Sequence, residues 1–179
     1  ENCAVLEKDY VGRHASGVNA GGVRRLGRAL PEVPLADNAL SIWRNIEDLI
    51  DDDCGFKSLG QVKVAENNAE LSALKNRAKT VQDIGFLHEE IIDQKQLREL
   101  LPAVASHCIG GLYVNGDGHA NPYRTVTAFK RKAISMGVRI FEQTPVNEIV
   151  RHGKNWLVKS SFRKIEAPII VNCAGAWGG

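Results

Sequence analysis

An α/β fold built around a nucleotide site is predicted by three features of this sequence. A short apolar run, Ala4-Val5-Leu6, ends on the acid Glu7 and leads into a glycine-rich loop between Gly12 and Gly22. An amphipathic stretch opening at Asn121-Pro122 feeds a series of closely spaced short apolar runs beyond Val138. A second apolar run, Ile169-Ile170-Val171, breaks at Ala174-Gly175 into another turn of small residues. Strand, acid and glycine loop in that order set an acceptor and bare backbone where a nucleotide binds, although no G-x-G-x-x-G stands in front of them.

The elements follow in order. Ala4 to Leu6 reads as a buried strand, and the glycines from Gly12 to Gly22, with Ser16 and Asn19 among them, favour turns and close backbone approach. Pro34 opens a helix whose apolar face is Leu35, Ala39, Ile42, Trp43, Ile46, Leu49 and Ile50 at a 3.6-residue period. Asp51 to Gly55 ends it. Leu59, Val62 and Val64 alternate as in strands that are wet on one face. Asn68 is the expected cap of a charged helix reaching about Thr80, and Asp93 that of a helix stopped by Pro102. "GFLHEEIID" and "IGGLYVNGDG" read as strands, the second with a glycine turn after it.

Asn121-Pro122 supplies an N-cap and a first helical residue. Val126, Phe129, Ala133 and Met136 are expected inward on that helix, and Gly137 closes it. "VRIFEQ", "VNEIVRHG", "NWLVKSS" and "RKIEAP" read as a β-meander, and "IIVNCAGAW" as an apolar strand entering a turn.

Composition narrows the function. With 23 basic against 21 acidic residues the net charge is +2, which gives no electrostatic footprint for nucleic acid or a membrane surface. No apolar run approaches the roughly 20 residues of a spanning helix. Cys3, Cys54, Cys108 and Cys173 are scattered without metal-ligand spacing, so no metal is expected, and reduced thiols in a cytoplasmic protein are the default. His14, His88, His107, His119 and His152 are equally dispersed, and no Ser-His-Asp or Cys-His constellation is present.

The candidate chemistry therefore rests on a few positions. An acid at a strand tip such as Glu7 accepts two hydrogen bonds from a ribose diol, or is merely a surface acid. Backbone N–H groups between His14 and Gly22 converge on a phosphate, or belong to an ordinary loop. Arg24 and Arg25 follow, and an arginine there meets a carboxylate or phosphate bidentately, or is simply solvated.

Taken in order, Val5-Leu6-Glu7-Lys8, Ala15-Ser16-Gly17-x-Asn19-Ala20-Gly21-Gly22-Val23-Arg24, Gly116 to Val150, and "IIVNCAGAW" resemble the FAD-dependent amine and amino-acid oxidoreductases. That group includes D-amino acid oxidase, glycine oxidase, sarcosine oxidase and their dehydrogenase relatives. The resemblance runs nearly end to end. It implies a Rossmann-like FAD-binding domain with a β-meander, plus part of a mixed-sheet substrate domain. Residues 1–51 are the expected first portion of the FAD domain, 52–121 a portion of the substrate domain, and 122–179 the second FAD portion.

The resemblance also implies site residues. Glu7 matches the acid on the adenosine ribose. Ala15, Ser16, Asn19, Ala20 and Gly21 match the loop beside the pyrophosphate, ribityl chain and flavin. Val146 matches the residue whose backbone pairs with adenine, and Ala174, Gly175 and Trp177 match the turn over the adenosine and pyrophosphate. Arg24 falls where sarcosine oxidase-like members place an arginine near the substrate carboxylate.

The implied reaction is oxidation of the CH–NH bond of a small amino acid or secondary amine, with hydride passing to the flavin. The family's first strand and G-x-G-x-x-G helix are expected before Glu1, and the rest of its substrate domain after Gly179. FAD is therefore the expected cofactor of the intact protein, held weakly or not at all by these residues alone. Exposed sheet surface implies self-association. Two alternatives stay open: a non-catalytic scaffold without flavin or turnover, and a flavoenzyme acting on a CH–OH substrate.

Overall fold

The computed structural model describes residues 3–178. In chain order the elements are β1 (Ala4–Leu6), β2 (Gly22–Val23), α1 (Val33–Arg44), α2 (Ile46–Ile50), β3 (Gln61–Ala65), α3 (Asn68–Asp83), β4 (Glu90–Asp93), α4 (Gln94–Leu100), β5 (Gly110–Val114), β6 (Gly118–His119), α5 (Pro122–Ser135), β7 (Arg139–Phe141), β8 (Val146–His152), β9 (Asn155–Ser160) and β10 (Lys164–Ala167). Short 3₁₀ turns occupy Leu30–Glu32 and Gly175–Trp177. The chain divides into two compact units, one of residues 1–18 with 126–179 and one of residues 19–125.

In the first unit β1 pairs in parallel with β7, Val5 opposite Ile140. A parallel pair requires a crossover, and the chain between them supplies it. β8, β9 and β10 form the antiparallel meander in the order β10-β9-β8, with an irregularity between Val146 and Glu148. Thus "VRIFEQ" contributes a parallel strand and only the next three runs form the meander. The reading of β1 as a buried strand also needs correcting, since Val5 is 41% exposed and its neighbours are half-buried.

"IIVNCAGAW" forms no strand. Ile169 and Val171 stand 76% and 77% exposed, with no ladder partner among the described residues. A fully apolar run becomes a strand only when a neighbouring edge takes its backbone N–H and C=O groups.

The second unit is built on the antiparallel sheet β3-β5-β4. Leu112 and Val114 point to one face, where Leu26, Ala65 and Leu74 join them. Ile92, Leu97 and Cys108 fill the other, with Val62, Val64 and Tyr113. Both faces are therefore covered, α3 packing on one and α4 on the other, rather than one face being wet. The period-2 alternation of each strand divides its side chains between the two clusters. Each fully buried Leu or Val adds about 1.5–3 kcal/mol.

Local signals set the helix ends. Asp93 and Gln96 make a reciprocal capping box for α4. Asn67, not Asn68, caps α3, because its side chain reaches the Glu70 N–H at 3.0 Å. Asn121 caps α5 through the Arg124 N–H, and Gly137 ends it at φ +85°.

The buried faces of α1 and α5 differ from the predicted ones. Val33, Leu40, Ile46 and Ile50 are buried, whereas Leu35, Ile42 and Leu49 are exposed. The helix breaks at Asn45 (φ −118°), and α2 continues from there. On α5, Ala128 is fully buried while Phe129 and Met136 face outward. No helix among the described residues is long and apolar enough to cross a membrane.

Candidate functional site

The site is built from the end of β1. Beyond Leu6 the backbone stays laced to the segment after β7: the Glu7 N–H donates to Phe141 O, and Glu7 O accepts from the Thr144 N–H at 2.8 Å. The Gln143 N–H donates to Asp9 O at 2.8 Å, and the Val11 N–H to a Glu142 carboxylate oxygen at 2.8 Å. Lys130 Nζ reaches that same oxygen at 2.7 Å. Its ammonium, then the Val11 N–H, holds the Glu142 carboxyl below its usual value.

Within this frame the Glu7 side chain turns back on its own loop, Oε1 accepting the Asp9 N–H at 2.8 Å. A strand-end carboxylate with one oxygen engaged is held in place for a further donor. Val146, at the start of β8, lies two residues past Thr144 and is 42% exposed.

The glycine loop then turns twice in the first unit. The Arg13 N–H donates to Tyr10 O, and the Gly17 N–H to His14 O. Gly12 sits at φ +86° against Val126, and a Cβ on Gly17 would run into the Gly12 carbonyl. Ala15 and Ser16, between them, are exposed. Gly17 is thus required by the loop's own packing.

The turn at Ala174 to Trp177 is closed internally. Asn172 accepts the Ala174 N–H at 3.0 Å and donates to Gly178 O at 3.1 Å. Trp177 is 57% exposed, so it is no core residue. It meets two side chains from the N-terminal segment. Lys8 Nζ lies 3.6 Å from the centre of its ring, and the His14 ring lies 4.5 Å away at a 43° tilt. His14 Nε2 is in turn 2.8 Å from an Asp9 carboxylate oxygen.

The first unit therefore gathers Glu7, the loop bearing Ala15 and Ser16, and the turn of Ala174, Gly175 and Trp177. These come from opposite ends of the chain. Sequence reasoning did not single out Lys8 or Asp9. Their signal was the charged pair directly after the strand-end acid, with His14 five residues past Asp9.

The second unit holds the remainder. Asn19 Oδ1 accepts the Gly21 N–H at 2.8 Å, and Asn19 and Ala20 are exposed. Gly21 (φ +71°) is buried, and a Cβ there would collide with Ala120 O. Its glycine is therefore required by backbone packing between residues 21 and 120.

The two arginines divide their roles sharply. Arg24 is exposed, and among the described residues its side chain hydrogen-bonds only Leu26 O, at 3.0 Å. Arg25 is buried. Its Nε lies 3.1 Å from Asp117, its Nη1 3.0 Å from Asp37 and its Nη2 2.9 Å from Asn115 O. Asp117, fully buried, also accepts the N–H groups of Arg25 and Leu26. Arg25 is the structural member of the pair, and Arg24 the one open to a ligand.

In the first unit, Glu7, the loop of Ala15 and Ser16, and Trp177 carry the kinds of group that an adenosine binds through. An oriented strand-end carboxylate, a loop with little side-chain bulk and an exposed indole match a diol and a flat base chemically.

Comparison with known proteins gives the lineage. The whole chain, residues 1–179, matches the family described as "DAO: FAD dependent oxidoreductase". It is 29% identical over 150 residues to 4-methylaminobutanoate oxidase (formaldehyde-forming) of Paenarthrobacter nicotinovorans, covering 83% of this chain and 18% of that protein. The crystal structure of glycine oxidase from Geobacillus kaustophilus superposes with a TM-score of 0.89 at 24% identity, over 98% of this chain and 49% of that one. L-proline dehydrogenase from P. horikoshii gives a TM-score of 0.89 at 23% identity, over 99% of this chain and 47% of that one. The chain spans about half the length of these solved structures and under a fifth of that curated relative. The fold is accordingly a mixed α/β arrangement with a Rossmann-like FAD-binding domain. The chain belongs to the DAO family of FAD-dependent oxidoreductases.

Proposed function

We propose that these residues are part of a flavoenzyme that oxidises the CH–NH bond of a small amino acid or secondary amine. The observation that carries this reading is the packing of Trp177 on Lys8 and His14, which joins the 175–177 turn to the strand-end acid and the glycine loop. Matched proteins named as a glycine oxidase, an L-proline dehydrogenase and a 4-methylaminobutanoate oxidase support the substrate class.

Within the site, Glu7 binds the adenosine ribose, and Val146 offers its backbone to adenine. Ala15, Ser16, Asn19, Ala20 and Gly21 line the dinucleotide, and Ala174, Gly175 and Trp177 cover its adenosine end. Arg24 is the candidate for the substrate carboxylate, since Arg25 is committed to Asp117. FAD, when bound, supplies the hydride acceptor, and the protein supplies orientation and electrostatics.

The domain reading stands beside this. Residues 1–51 and 122–179 are portions of the FAD domain, and residues 52–121 a portion of the substrate domain. Because the relatives are longer, residues 1–179 alone hold FAD weakly or not at all and self-associate through exposed apolar surface. Stoichiometric flavin absorbance after purification of this chain would contradict weak binding, and a monomer in sedimentation would contradict association.

The activity test is hydrogen peroxide production or dye reduction by the longer protein carrying these residues, with glycine, sarcosine, proline and D-alanine. Turnover of at least one is expected. A flavin-loaded protein that reduces with none of them, but with an α-hydroxy substrate, would overturn the CH–NH reading.

A further inference from the structure

Trp177 is held by side chains more than 160 positions away in the chain, and this arrangement has a consequence beyond lining the site. Among the described residues, the backbone hydrogen bonds of the 174–178 turn stay within residues 172–178: Trp177 N–H to Ala174 O, Gly178 N–H to Gly175 O, and the two bonds of Asn172. The approach to the turn is exposed at Ile169 and Val171 and belongs to no strand. Among the described residues, the turn meets the N-terminal segment through its indole, with the Lys8 ammonium at 3.6 Å and the His14 ring at 4.5 Å. Asp9 fixes His14 through a 2.8 Å contact to Nε2.

We infer that Lys8, Asp9 and His14 are positioning residues, forming a clasp that sets Trp177 and its turn beside the strand-end acid before any ligand arrives. The inference rests on the flavin-site reading above. The His14 backbone carbonyl accepts the Gly17 N–H, so the residue whose ring meets Trp177 lies within the turn bearing Ala15 and Ser16. With its ammonium over the indole, Lys8 makes no ion pair with Glu7 among the described residues. The Glu7 carboxylate is then left to neutral donors such as a ribose diol rather than to its own neighbour. A turn docked in advance spares the ligand the ordering cost of closing it.

The experiment uses the 179-residue chain labelled with ¹⁵N at tryptophan, whose three indole N–H signals come from Trp43, Trp156 and Trp177. Trp177→Phe assigns the third. The probe is ADP at millimolar concentration, with FMN, which lacks the adenosine half, as control. Lys8→Met and His14→Ala are each expected to shift the Trp177 signal of the ligand-free chain and to weaken ADP about fivefold, as loss of a cation–π or ring contact does. Lys8→Arg restores both, because a guanidinium stacks on indole. The response to FMN stays unchanged throughout.

Unchanged ADP affinity in Lys8→Met and His14→Ala overturns the positioning role. Unchanged ligand-free Trp177 signals overturn the clasp itself. An unsubstituted chain that ignores millimolar ADP overturns the positioning role, whereas the cofactor reading fails separately, on absence of flavin from the longer protein carrying these residues.

Discussion

Replacing Asp117 by alanine removes a fully buried acid from the second unit. Its carboxylate is fully buried and accepts the Arg25 N–H at 2.7 Å, the Leu26 N–H at 2.8 Å and Arg25 Nε at 3.1 Å. Removing it strands a guanidinium whose side chain is 9% exposed and leaves two backbone donors without their acceptor. Breaking a buried ion pair from one side costs about 3–5 kcal/mol. Arg25 keeps Asp37 and Asn115 O, which places the loss toward the lower end, about 3–4 kcal/mol. With a urea slope of about 2 kcal/mol per molar, the midpoint falls by about 1.5–2 M. Circular dichroism during urea titration measures this.

Asp37→Ala is the control. Its carboxylate pairs with the same arginine but is 45% exposed, so the loss stays within about 1 kcal/mol. Equal midpoints for the two variants would refute the argument, because burial would then not decide the outcome.

Other expectations follow from the same structure. Gly17→Ala forces a methyl group onto the Gly12 carbonyl and should cost about 1–3 kcal/mol more than Gly153→Ala. Gly153 sits in open space at φ +59° and pays only for its backbone conformation; thermal melts of both compare them. Burial, with the Arg25 charge adding to it, lowers the His88 pKa, and its Nε2 is buried without a hydrogen-bond partner among the described residues. The unfolded chain binds the proton more readily, so His88 contributes stability above about pH 6.5 that is lost as pH falls through the lowered value. Denaturation midpoints across that window should slope downward with acid, and less so in His88→Gln. Native thiol labelling read by mass spectrometry should modify Cys3 and Cys173 quickly. Cys54 and Cys108 are buried and should react only on unfolding, Cys54 all the less because burial raises its thiol pKa.

Much of the local structure was legible because it is decided by neighbours in sequence. Asp93 finds its partner three residues on, Asn121-Pro122 caps and starts α5 by itself, and Gly137 ends it because its backbone must turn left-handed. Asn67 and Asn68 compete for one cap, and only the placement of Glu70 chooses between them. What stayed hidden depends on partners far along the chain. Leu35 and Val33 are equally apolar, and which of them is buried is set by the unit they pack against. "VRIFEQ" looks like any meander strand, yet its hydrogen bonds go to β1. "IIVNCAGAW" has the composition of a strand but no edge to pair with among the described residues. The split between Arg24 and Arg25 hangs on Asp117, 92 positions from Arg25, and no local pattern marks it.

One adenosine-side site in the first unit underlies every role assigned above. Backbone amide shifts of the isotope-labelled chain during ADP titration test it most directly. Perturbations concentrated at Glu7, Ala15, Ser16, Val146, Gly175 and Trp177, and abolished by Glu7→Gln, are predicted. Saturable shifts centred elsewhere, or undiminished in Glu7→Gln, would contradict it.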